Sequence, residues 1–144
     1  MLRLVFDTST PSVSLGLLCE EGWMECLDRV DVPKQQSKIL FDLIQELLKP
    51  FGIENKEITE IAVGQGPGSY TGLRMGITVA KVWAYAQGTK LYTFSSSDLL
   101  QKTKKQNASA RFPQVRYLEE GDFQGVSSIN DLQPLYENDH FAHP

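Results

Sequence analysis

Residues 62–77 constrain this chain more than any other stretch. A short apolar strand runs through Ala62 and Val63 into Gly64-Gln65-Gly66-Pro67-Gly68, and Ser69-Tyr70-Thr71-Gly72-Leu73-Arg74-Met75-Gly76-Ile77 opens a helix directly. Glycines let the backbone turn sharply and come close to whatever sits there. The first helical turn then offers unpaired N–H groups and the positive end of a dipole, which suits an anion. Inside the helix, Gly68, Gly72, Gly76, Ala80 and Ala84 recur every four residues as one column of small side chains. Each helical glycine costs roughly 1 kcal/mol against alanine, so three in register need a reason. Close approach of another helix is the expected one.

With 144 residues, the chain is expected to form one domain, or one domain plus a fragment of another. A formal net charge of −4 argues against unaided binding to nucleic acid or an anionic membrane, though not against RNA reached through a partner. No apolar run is long enough for a membrane span, and no cationic-then-apolar leader opens the sequence. Cys19 and Cys26 are the only cysteines, so they are expected to be reduced and structural, in a cytoplasmic protein.

Strands come first and helices later. Residues 2–6 form a short apolar strand ending at Asp7-Thr8-Ser9-Thr10. Residues 12–18 alternate apolar and small polar side chains, the period of a half-buried strand, and residues 23–30 complete an antiparallel meander. A helix is predicted over 36–51 and closed by Gly52, a strand over 58–65, and a helix over 70–87 stopped by Gly88. Residues 90–94 make a fifth strand and 97–105 a short helix with a serine cap. The order β-β-β-α-β-α-β fits an α/β fold with a five-stranded mixed sheet, as in ribonuclease-H-like lobes. Residues 1–105 are therefore read as one lobe. Residues 106–144 hold too little apolar material for a core of their own, with one predicted strand at 115–118. They read as a remnant packed on the lobe or a partly ordered tail.

Both long helices carry more apolar surface than one buried face requires. Ile39, Leu40, Phe41, Leu43, Ile44, Leu47, Leu48 and Phe51 cover an arc of roughly 200° at 3.6 residues per turn. The second helix pairs a stripe of Leu73, Ile77, Ala80 and Ala84 with Met75, Val79, Val82, Trp83 and Ala86 around its back. Either the helices and the tail cover each other, or the surplus is a protein–protein interface. The apparent poverty of the tail favours the interface.

The chemistry residues are few. The glycine turn lacks the Gly-Lys-Ser/Thr of a Walker loop, and Ser69 stands where a dinucleotide fingerprint needs its third glycine. His140 and His143 are the only histidines and lie in the terminal tail without a nearby carboxylate cluster, so no metal site is expected. Asp7, followed by Thr8, Ser9 and Thr10, can hold a hydrated metal and hydrogen-bond a phosphate, or can merely cap a turn.

Phe6-Asp7-Thr8-Ser9-Thr10, the Gln36-Ser37 entry to the first helix, and Gly64 to Arg74 resemble the bacterial TsaB (YeaZ) family. Gly76-Ile77-Thr78-Val79-Ala80-Lys81 and Ser95-Ser96-Ser97-Asp98-Leu99 keep that family's order, so the resemblance covers residues 2–100. It implies the actin/Hsp70/sugar-kinase (actin-like ATPase) fold and a non-catalytic partner of TsaD, which transfers a threonylcarbamoyl group to adenosine beside the tRNA anticodon. A small ATPase, TsaE, joins that pair, and tRNA is met only through the complex. The resemblance also implies no cofactor and no membrane contact. Asp7, Thr8, Ser9, Thr10, Gly66, Gly68 and Ser69 would be vestigial phosphate-type loops. Pairing with TsaD or a second copy would run through the two helices, with Ile39, Leu40, Leu43, Leu47, Gly72, Gly76, Ala80 and Trp83 at the contact. The sequence departs from the family at Gln36, where many members have histidine, and in a second lobe reduced to a worn Ser109-Ala110-Arg111-Phe112 opening and an Asp131-Leu132-Gln133-Pro134-Leu135-Tyr136 close.

Two other functions rank below this one. An ATP-binding phosphotransferase of the actin-like superfamily would use Asp7 to hold a metal. A glycoprotease-type peptidase would need a metal site or an activated nucleophile that the sequence does not offer.

Overall fold

The structure, a computed structural model, describes residues 1–30 and 37–136. The expected Gln36 entry to the first helix and both histidines therefore lie outside the described residues. Strands β1 (Leu2–Asp7), β2 (Val13–Cys19) and β3 (Gly22–Arg29) form the meander. Helix α1 (Ser37–Leu48), β4 (Glu60–Gly64), α2 (Tyr70–Gln87), β5 (Lys90–Phe94) and α3 (Ser96–Gln106) follow in the expected order. The α-helix ends at Leu48 and tightens into a 3-10 turn at Lys49–Phe51, because Pro50 has no N–H to continue the ladder. Gly52 and Gly88 terminate their helices in the left-handed conformation.

The sheet order is β3-β2-β1-β4-β5-β6, with six strands rather than five. The meander is antiparallel, β1, β4 and β5 run parallel, and β6 (Gln124–Val126) returns antiparallel to β5. Register explains the core. Leu4 lies between Leu17 and Ile61, and Phe6 between Leu15 and Val63, so one face of the sheet is continuously aliphatic. These residues pack with Leu40, Ile44 and Leu48 of α1 and Ile77, Ala80 and Trp83 of α2 in one buried cluster. Val5 and Ala62 point to the other face, where they meet Phe94, Leu99 of α3, Val115 and Leu118. The result is a sheet covered on both faces.

Residues 107–136 contribute to both layers. The predicted strand at 115–118 is instead a 3-10 turn at Val115–Tyr117 that lies on the sheet rather than beside it. Val115 and Leu118 are buried three residues apart, a helical spacing, and the Val115 N–H donates to Ser14 Oγ at 2.9 Å. The Arg3 guanidinium sits 4.1 Å from the Tyr92 ring centre and 4.6 Å from that of Phe123, and pairs with Glu60 at 2.8 Å. Arg3 also reaches Glu120 at 3.4 Å, tying the segment that carries β6 to β1. Leu132 is wholly buried in the same cluster as the buried α1 and α2 side chains, next to a turn that packs on α2.

Leu132→Ala is therefore expected to cost about 2–5 kcal/mol of stability, the range for a buried leucine, read as a lowered urea midpoint. An unchanged midpoint would remove the terminal segment from the core.

Candidate functional site

Three loops leave the carboxyl ends of the parallel strands β1, β4 and β5 and meet at one place, where open α/β sheets usually hold ligands. The first carries Asp7 to Thr10, the second is the glycine turn, and the third starts α3 at Ser96.

Asp7 is the centre of this junction and is fully buried. Its Oδ2 accepts from Ser9 Oγ at 2.6 Å and from the Ser9 N–H at 3.2 Å. Its Oδ1 accepts from Ser96 Oγ at 2.6 Å, and Ser96 Oγ in turn accepts from the Gly66 N–H at 3.0 Å. The Ser96 N–H donates back to the Gly66 carbonyl at 2.9 Å. Burial pushes the Asp7 carboxyl above the usual carboxylate range, against the opposing pull of the Ser9 and Ser96 hydrogen bonds. One carboxylate thus joins all three loops.

The glycine column receives the β1–β2 loop. Thr8 Oγ1 donates to the Gly72 carbonyl at 2.6 Å, and a Cβ on Gly76 would collide with that hydroxyl. A Cβ on Gly68 would lie 2.6 Å from Ser9 Cβ, and the Ser69 N–H donates to the Ser9 carbonyl at 2.9 Å. This corrects the expectation of an approaching helix: what comes close is a turn of the same chain. Ser69 itself is exposed, and its hydroxyl caps α2 by accepting from the Gly72 N–H at 3.3 Å.

The other side of the glycine turn is covered by residues 133–136. The Leu135 N–H donates to the Gln65 carbonyl at 2.8 Å, and Gln65 Nε2 donates to the Gln133 carbonyl at 3.1 Å. Gly66 has φ of 109°, and any Cβ there would strike the Leu135 carbonyl. The Tyr136 and Tyr70 rings lie 4.8 Å apart. Asp7, Thr8, Ser9, Gly66 and Gly68 are all buried, while Thr10 is half-buried with its hydroxyl 3.3 Å from the Ser12 N–H. The hydroxyls of Thr8, Ser9 and Ser96 are thus engaged within the chain, where a phosphate would have to compete for them.

The residues expected at a partner contact are also mostly inside. Leu40, Leu43, Leu47, Ala80 and Trp83 are buried in the helix–sheet core, Gly72 and Gly76 face the β1–β2 loop or lie beneath it, and Ile39 is half-buried. The physical reason is that α1 and α2 share one sheet face, so their facing sides bury each other. The apolar surface left outside is formed by other residues, Phe41 of α1 and Val82 and Tyr85 of α2, with Tyr85 85% exposed, besides Tyr70 at the start of α2 against Tyr136. Phe41 stacks on Trp83 with ring centres 6.3 Å apart. The indole N–H of Trp83 is buried and has no hydrogen-bond partner among the described residues.

Among the described residues no cluster of three or more His, Cys, Asp or Glu side chains is positioned to hold a metal, and no helix is long and apolar enough to cross a membrane. Both cysteines are free, and burial pushes the Cys26 thiol up to about 11, far from thiolate chemistry.

A family model described as "TsaD: tRNA N6-adenosine threonylcarbamoyltransferase" matches residues 31–132, well over half of the chain. Two curated relatives are both described as tRNA threonylcarbamoyladenosine biosynthesis protein TsaB. That of Bacillus subtilis is 31% identical over 101 residues, covering 69% of this chain and 43% of the relative. That of Escherichia coli is 30% identical over 100 residues, covering 69% and 42%. The chain belongs to the TsaB (YeaZ) family. It spans less than half the length of these curated relatives. The fold agrees with that of YeaZ from Pseudomonas aeruginosa, at a TM-score of 0.68 and 24% identity over 88% of this chain and 65% of that one. A second structure, an uncharacterized protein with similarity to peptidase YEAZ from the same organism, gives 0.63 at 26% identity, over 88% and 64%.

Two outcomes follow for this TsaB relative. Gly76→Ala is expected to destabilise the fold despite the gain of roughly 1 kcal/mol in helix propensity, because overpacking costs about 1–3 kcal/mol. Thr8→Ala should relieve it, so the double variant loses less than the two single changes added together in thermal unfolding. Independent, additive losses would mean the two residues do not press on each other.

The second outcome concerns pH. The folded state holds the Asp7 proton to higher pH than the unfolded chain does, so this group's contribution falls as pH rises through the window above the ordinary carboxylate value near 4. Stability of the wild type relative to Asp7→Asn should therefore increase as pH is lowered through that window, by chemical denaturation. A pH-independent difference would show that the carboxyl is not desolvated.

Proposed function

We propose that this chain is a non-catalytic partner subunit in the synthesis of tRNA threonylcarbamoyladenosine, and that it binds a TsaD-like transferase through the outer face of α1 and α2. The observation that carries the reading is the apolar surface left exposed on the helix layer at Phe41, Val82 and Tyr85. Aromatic residues at the centre of a surface patch are the usual anchors of protein interfaces. The family membership supplies the pathway, since its curated members are described as tRNA threonylcarbamoyladenosine biosynthesis proteins.

In this reading a TsaE-like ATPase joins the assembled pair, tRNA is engaged in the complex, and the work is done in the cytoplasm. A second copy of the chain competes for the same helix face, which gives a homodimer when the transferase is absent. The three-loop junction then has no catalytic duty. Its buried carboxylate and hydroxyls hold the helix layer in place.

Val82→Glu and Tyr85→Glu are expected to leave the thermal unfolding midpoint within a few degrees, since both side chains are exposed. Each should abolish co-elution with the TsaD-like subunit from size exclusion. Normal co-elution of both variants would exclude this face as the contact.

A further inference from the structure

The charges of this chain are segregated. Residues 99–118 carry Lys102, Lys104, Lys105, Arg111 and Arg116 with no Asp or Glu among them, in a chain whose 18 acids outnumber its 14 bases. The fold brings this stretch together rather than spreading it out. The α3 helix ends at Gln106, the Asn107 carbonyl accepts from the Ala110 N–H at 3.0 Å, and the Gln114 N–H returns to Thr103 Oγ1 at 3.0 Å. The last turns of α3 and residues 107–118 therefore form one compact surface.

Two of the five cations are already used. Lys102 pairs with Asp122 at 2.6 Å and Glu119 at 3.1 Å, and Arg116 pairs with Asp28 at 3.0 Å. Lys104, Lys105 and Arg111 are exposed and make no ion pair with any described residue. Lysines in the last turn of a helix complement its dipole. That accounts for Lys104 and Lys105, but it explains neither Arg111 beyond the helix nor the missing acids across twenty residues. Lys102, Lys105, Gln106, Tyr117 and Glu119, whose carboxylate is taken by Lys102, line a shallow groove of about 200 Å³, and Arg111 lines a neighbouring one with Asp28, which Arg116 pairs. The Arg111 guanidinium lies 5.3 Å from the Phe112 ring centre.

We infer that this surface is an RNA contact, in which Lys104, Lys105 and Arg111 meet backbone phosphates of a tRNA. Cations mixed with amides, hydroxyls and aromatic edges are the composition that holds a phosphodiester backbone in register. Gln106, Asn107 and Ser109 are exposed around these cations. A lipid surface would instead favour a broad exposed apolar face beside the basic one, whereas here Leu99, Val115 and Leu118 are buried in the core and Leu100, Phe112 and Tyr117 are half-buried. The inference rests on the proposed role in tRNA modification and adds to it a direct contact by this subunit. It also qualifies the expectation drawn from net charge, because a local patch acts within a Debye length of about 10 Å at 0.1 M salt, whatever the sign of the whole chain.

The test is fluorescence anisotropy of a labelled tRNA transcript with the full chain alone, titrated from low to moderate salt. A variant carrying Lys104→Gln, Lys105→Gln and Arg111→Gln serves as comparison. All three side chains are exposed, so the variant is expected to unfold at the wild-type temperature and to co-elute with the TsaD-like subunit as the wild type does. Wild-type binding that weakens with salt, and a variant whose log–log salt slope is smaller by about 2 to 3, support the contact. Equal slopes, no wild-type binding at low salt, or tighter binding to phosphatidylserine vesicles than to tRNA would each overturn it. The co-elution run is scored separately: wild-type failure to pair sinks the scaffold role, while the anisotropy result decides the RNA contact.

Discussion

The Thr8–Ser9 turn lying in the glycine groove of α2 is the contact on which the rest of this structure depends. Two glycines, Gly72 and Gly76, weaken a helix by roughly 2 kcal/mol in propensity, yet α2 runs unbroken from Tyr70 to Gln87. What offsets that cost is the approach the glycines permit. Thr8 reaches the Gly72 carbonyl, Ser9 sits on Gly68, and Asp7 is drawn below the surface to collect Ser9 and Ser96. Strand, turn and two helices are thereby fixed to one another through side chains of three consecutive residues. A larger side chain at Gly68 or Gly76 acts on all of them at once.

That contact also explains what the amino-acid order could and could not reveal. The small column announced close approach correctly, because glycine at four-residue spacing has few other uses in a helix. It carried no information about which element approaches, and a two-residue turn fills the groove as well as a helix would. The elements through residue 105 were legible because their apolar residues recur with period 2 or 3.6. The terminal segment was not, because Val115, Leu118, Phe123 and Leu132 insert singly from turns, and β6 is only Gln124–Val126, with Gly125 in the middle. Low apolar content left this segment without a core of its own, and its few apolar side chains join the two layers on the sheet. It did not argue that the segment would stay off the sheet.

Arg3 shows how so polar a segment is held. Its guanidinium is almost wholly buried between two aromatic rings, with Glu60 as a close counter-charge and Glu120 at the rim. An arginine removed from water needs such compensation, since a buried unpaired charge is strongly destabilising. Phe123 and Glu120 come from the terminal segment, whereas Tyr92 and Glu60 come from β5 and β4. The segment therefore completes the solvation of a charge that the sheet cannot satisfy alone. Specific polar closure substitutes here for bulk apolar area.

The same reasoning connects the three-loop junction to the surface assigned to the partner. Thr8 and Ser9 pack on the N-terminal end of α2, and farther along the same helix the buried Trp83 stacks on Phe41, so a shift of the turn in its groove would bear on that face through the helix. Packed interiors transmit such displacements because they have little free volume to absorb them. In the proposed role, residues that look in sequence like ligand loops would act by holding a helix face in a fixed shape. A rigid face loses less on association than one that must order first, which suits the partner contact proposed for it.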